Sequence, residues 1–194
     1  MLVGARFTSS GKGALLPQDE FVRDHMRAED TLIVSVGGND IALRPTAATA
    51  ASILALVSQP MSWLEKGSAL GLSHMIRLFK DSVETYLAAL CAKTRPRKIV
   101  ICMIYYLDED PASESWANPT LRCLGYNSNP GKLQLLIRRV YQEATCKIKV
   151  DGVAVEPFPL FEVLDGKNPA DYEARVEPSV LGGEKMGKAF AALV

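Results

Sequence analysis

The chain has no surplus of charge of either sign: 22 basic residues balance 22 acidic ones, mixed along its length. That argues against the basic surface with which a protein holds nucleic acid or an anionic membrane. It has no apolar run near the ~20 residues that a spanning helix needs, so no membrane span is expected. The apolar stretch after Met1 is too short for a signal peptide and has no basic flank before it, which leads us to expect a cytoplasmic location. Histidine is scarce, and no two of the four cysteines (Cys91, Cys102, Cys123, Cys146) stand at a C-x-x-C spacing. A zinc site is therefore not expected, and the cysteines read as reduced thiols. Gly11-Lys12-Gly13 lacks the spacing to an earlier glycine, and the Ser or Thr after lysine, that a phosphate loop requires. It reads as a surface turn, and no cofactor is expected. Internal repeats and low-complexity tracts are also missing.

What is present fits one domain. A chain of 194 residues can bury a full core without disulfides. Pro17 opens a helix over about 18–27, with Asp19 and Glu20 at the positive end of its dipole. A strand over 32–36 follows. Ala47 to Val57 is helical and Pro60 breaks it. From Ser73 to about Lys93 the spacing of Ile76, Phe79, Val83, Tyr86, Leu87 and Leu90 predicts one long helix with one buried face. Residues 98–106 form the clearest strand, an unbroken apolar run that requires burial on both faces and hence a parallel, helix-covered sheet. A polar loop over 108–129 leads to a helix over about 131–147. The third strand spans 153–158, with Pro157 and Pro159 marking its end. A last helix covers 182–193. Helix and strand alternate, as in a three-layer α/β/α sandwich with right-handed crossovers.

Within this frame Val34-Ser35-Val36-Gly37-Gly38-Asn39-Asp40 stands out. An apolar strand stops at two glycines and delivers polar side chains beyond a strand's carboxyl end, where α/β folds keep their ligands. Asp40 reads as a helix cap or loop anchor. Tyr105, Tyr106 and, in the polar loop, Trp116 are candidates to line a pocket or cover it.

Gly37-Gly38-Asn39-Asp40 resembles the third sequence block of the SGNH (GDSL-type) hydrolases. Downstream, Glu177-Pro178-Ser179, Gly182 and Met186 stand at the offsets of that family's last block, D-x-x-H-P-S-x-x-G-x-x-x-M. Leu2-Val3-Gly4-Ala5 is similar to the end of its second strand. The resemblance runs from about Leu15 to the end. It implies a flavodoxin-like sandwich with a parallel sheet in a single domain, 1–194, that lacks its first strand and is N-terminally incomplete. It also implies acyl transfer on a small-molecule ester, with Asn39 as an oxyanion donor and Gly4 as a second. Ser179 would cap the last helix.

The departures matter as much. No Gly-Asp-Ser occurs, so the family's nucleophile is missing. The histidine slot holds Glu177 and the aspartate slot holds Ala174, with Asp171 six residues upstream of Glu177. His25 and His74 fall away from strand ends. Glu177 stands in the position of the base, and an ion pair with Arg175 or Lys185 is the simpler expectation for it. Three functions follow: an ester hydrolase impaired as this chain, a non-catalytic binding protein of the same fold, or an enzyme in which Glu177 works with another nucleophile or a water. Without a first strand, the strand over 32–36 would be left with unpaired groups and an exposed face, inviting a strand-pairing partner or self-association.

Overall fold

The computed structural model describes residues 15–38 and 46–194. In chain order the elements are α1 (Pro17–His25), β1 (Thr31–Ser35), α2 (Ala47–Ser58), α3 (Met61–Glu65), α4 (Leu72–Phe79), α5 (Asp81–Leu90), β2 (Lys98–Met103), α6 (Asn118–Cys123), α7 (Pro130–Glu143), β3 (Ala154–Pro159), β4 (Tyr172–Glu173), β5 (Glu177–Pro178) and α8 (Val180–Ala191). Proline starts α1, and the Asp19 carboxylate accepts from the Leu16 N–H. That carboxylate also accepts from the Tyr86 hydroxyl at 3.2 Å, which docks α1 on α5.

β1, β2 and β3 form a parallel sheet in that order. β2 is central, and its alternate residues face different helices. Ile99 and Ile101 pack with α1 and α5, while Val100 and Cys102 meet Leu160 and Met186 of α8. Burial from both sides is why this strand reads as an unbroken apolar run. The alternating pattern of the sequence thus corresponds to a mixed α/β architecture around a parallel sheet. β1 pairs with β2 along its whole length, and Leu32 and Val34 are buried, so the face expected to be exposed is covered. Among the described residues no strand lies along its outer edge. β3 includes Pro157, as expected, and runs one residue further, to Pro159, which an edge strand tolerates.

The long helix expected from Ser73 to Lys93 is two helices, broken at Lys80 (φ −115°, ψ −72°). The cause is packing. Met75, Leu78 and Phe79 of α4 join a cluster with α2 and α7, whereas Val83, Leu87 and Leu90 of α5 face β1. One straight helix cannot face both. The polar loop holds a short helix, α6, with a proline in its first turn.

Ser179 caps α8 as expected: its Oγ accepts from the Gly182 N–H at 3.1 Å. A Cβ on Gly182 would run into the Asp171 carbonyl oxygen. Gly182→Ala is therefore expected to destabilise the fold by about 1–3 kcal/mol, read as a lower urea midpoint at unchanged slope. An unaltered midpoint would show that the backbone around Asp171 yields without cost.

Candidate functional site

A cavity of about 650 Å³ opens at the carboxyl ends of β1 and β2. The turn after β1 supplies Ser35 to Gly38, and the chain after β2 supplies Ile104, Tyr105 and Leu107. α2, α4 and α7 contribute an apolar wall that includes Ile53, Phe79 and Ile137. Trp116, Leu121 and Leu124, in and beside α6, close another side, and Val176 and Glu177 complete the rim. Gly37 has φ +98°, and the Phe79 ring stands 2.7 Å from where its Cβ would be. Only glycine fits there, which accounts for one of the two glycines that stop the strand. Asn39, Asp40 and Gly4, as well as Gly11-Lys12-Gly13, lie outside the described residues. Gly38, the residue before Asn39, lines the cavity.

Glu177 is brought to the rim by a small antiparallel hairpin, β4–β5, in which it stands opposite Glu173. At the turn of this hairpin Ala174 and Arg175 have φ of 47° and 64°. Side chains resist this left-handed region, so the turn needs external support. Arg175 provides it, buried to 1% exposure. Its Nη1 donates to Asn118 Oδ1 at 2.8 Å and Asn127 Oδ1 at 3.0 Å. Its Nε and Nη2 donate to the Asp108 carbonyl at 3.3 and 3.1 Å. The Asp108 N–H donates back to the Arg175 carbonyl, and Ser115 Oγ donates to the Ala174 carbonyl. The hairpin and the loop carrying α6 are thereby tied into one body beside the cavity.

The ion pairs expected for Glu177 do not form, and its side chain is exposed. Arg175 turns inward, and Lys185 Nζ lies 2.7 and 2.8 Å from the two oxygens of Asp171. Asp171 is fully buried and accepts from Asn168 Nδ2 at 3.0 Å as well. It anchors α8 to the turn before β4 rather than serving the cavity. Tyr105 lines the cavity, and its hydroxyl donates to the Val176 carbonyl at 2.8 Å. Burial, with the Glu177 charge nearby, pushes that hydroxyl's pKa up, so it stays a donor. Tyr106 instead stacks on Phe161 and accepts from Arg138 at 2.7 Å. Trp116 lines the cavity while half exposed.

Among the described residues no histidine lines the cavity. His25 stacks on Phe21, and His74 Nε2 lies 3.0 Å from Thr49 Oγ1. Ser35, Thr120 and Cys123 are in the lining. Cys91 and Cys102 are buried, Cys123 and Cys146 exposed, and all four are free. Burial raises the Cys102 thiol to about 12, which keeps it protonated and unreactive.

The arrangement can enclose an apolar body and present a backbone turn and one carboxylate at its edge. Sequence reasoning found the turn, Glu177, Tyr105 and Trp116. It named Arg175 as a partner for Glu177 and missed its inward role, because an arginine between alanine and valine in an irregular segment reads as solvated. The amide-bearing Asn118 and Asn127 in the polar loop were the available signal. Comparison of the chain with family models, with curated proteins and with solved structures found no match.

Proposed function

We propose that this chain is a hydrolase-like domain of the SGNH (GDSL) type, a three-layer sandwich whose cavity takes the apolar part of an ester or a similar small molecule. The observation that carries this reading is the apolar cavity at the carboxyl ends of parallel strands, with the Gly37-Gly38 turn in its lining. In this reading Asn39 and Gly4 are oxyanion donors and Glu177 occupies the place of the base. Acyl transfer also needs a nucleophile held against a base. Among the described residues, Ser35, Thr120 and Cys123 reach the cavity without a histidine beside them. The chain by itself therefore binds its ligand and does not cleave it.

Two measurements test this. Full-length protein should bind a neutral apolar fluorophore in the cavity. Ala50→Trp, which adds bulk to the α2 wall, should weaken that binding by about tenfold or more. In parallel, p-nitrophenyl butyrate should be hydrolysed no faster than in buffer, and a fluorophosphonate should label no serine. Fluorophore binding that is absent, or indifferent to Ala50→Trp, overturns the ligand site. Labelling of a single serine, with turnover that falls about 10²–10³-fold in Asn39→Ala, overturns the non-catalytic half and makes the chain an esterase.

A further inference from the structure

Among the described residues, the lining of the cavity has charge of one sign. Among its described residues Glu177 is the single charged side chain. Glu173 stands directly opposite it across the hairpin, so both carboxylates project from one face. The cations close by in sequence are engaged elsewhere. Arg175 is turned onto Asp108, Asn118 and Asn127, and Lys185 is held by Asp171. Trp116 and Tyr105 place aromatic rings in the same lining.

We propose that this cavity selects its ligand by the charge of the head group: an apolar chain with a cationic or neutral head enters, and one with a carboxylate head is turned away. The inference rests on the reading that the cavity takes an apolar ligand. A chain buried among Ile53, Phe79, Leu136 and Ile137 leaves its polar end at the rim, where Glu177 stands. Two like charges at a rim with low-dielectric walls repel more strongly than in bulk water. A cationic head gains the attraction of the carboxylate and of the aromatic faces. Fatty-acid anions are thus the poorest ligands for a site that otherwise suits their tails.

The experiment compares three ligands with the same ten-carbon chain, used below their micellar concentrations: decyltrimethylammonium, decanol and decanoate. Each displaces N-phenyl-1-naphthylamine from the full-length protein at pH 7 and low salt. The cation should displace best, and decanoate should need about fivefold more than decanol. Glu177→Gln, at an exposed position that leaves the core untouched, should bring decanoate within about twofold of decanol and remove most of the cation's advantage. High salt should shrink the same differences. Decanoate matching decanol in the native protein, or an order unmoved by Glu177→Gln, overturns the charge selection while leaving the apolar site standing. A probe that never binds removes the site itself and this inference with it.

Discussion

Replacing Arg175 by methionine is expected to destabilise the protein by about 3 kcal/mol or more and to release the fluorophore from the cavity. The guanidinium is buried and meets only neutral oxygens: the Asp108 carbonyl and the side-chain amides of Asn118 and Asn127. Its removal leaves the buried Asp108 carbonyl without these donors, at about 1–3 kcal/mol before relaxation, and takes a partner from the half-buried amides of Asn118 and Asn127. It also withdraws the support of a turn in which two non-glycine residues hold positive φ. The hairpin should then part from the α6 loop, taking Glu177 and Val176 away from Trp116 and Leu121. Lysine cannot present the same planar fork, so Arg175→Lys should rescue little. Urea unfolding gives the stability change, and fluorophore titration at a temperature where the variant is still folded gives the binding change. A folded variant that binds normally would show the two segments to be independent.

The second large effect is expected at Lys185. Lys185→Met leaves the Asp171 carboxylate, at 0% exposure, without its cation. Breaking a fully buried pair from one side costs about 3–5 kcal/mol; with Lys185 39% exposed and Asp171 fully buried, a loss of about 2 kcal/mol is expected here. The double variant Asp171→Asn/Lys185→Met should recover most of that loss, since the asparagine still accepts from Asn168 and carries no charge. A cycle of the two singles and the double measures the coupling. A single variant that loses less than about 1 kcal/mol would show that water reaches Asp171 and replaces the ammonium.

Elements with an unambiguous local pattern were legible in the sequence. The three strands of the parallel sheet were legible, β2 as an unbroken apolar run, and their helical neighbours by proline starts and three- and four-residue spacing, whereas the short hairpin β4–β5 was not. Ser179 was expected as a cap from the resemblance of Glu177-Pro178-Ser179 to the family's last block, and its Oγ does accept from the Gly182 N–H. The break at Lys80 was not legible, since the apolar spacing passes through it without interruption. What changes there is which cluster each half faces, a fact about the rest of the molecule. The cavity was only half legible. Its turn could be read from Gly37-Gly38, but its walls come from α2, α4, α6 and α7, where each residue looks like ordinary core. Glu177 does line the cavity, but the partners expected for it are engaged elsewhere. Lys185 lies on the face of α8 that meets Asp171, and Arg175 sits at a turn that points it inward. Asn39 and Gly4 lie outside the described residues, so their roles belong to the proposal.

The packing of α8 on the sheet bears on biosynthesis. β2 and β3 leave the ribosome well before α8, whose Met186 and Phe190 pack over the side of the sheet that carries Val100 and Cys102. Until residues 180–191 emerge, that side has Leu160, Leu164 and Tyr172 but lacks the cover of Met186 and Phe190. A growing chain can form the half built on α1 and α5 early, but it must keep the other half from sticking to its neighbours. Pausing translation just upstream of α8 should therefore lengthen the time spent bound to holding chaperones, whereas pausing after it should not.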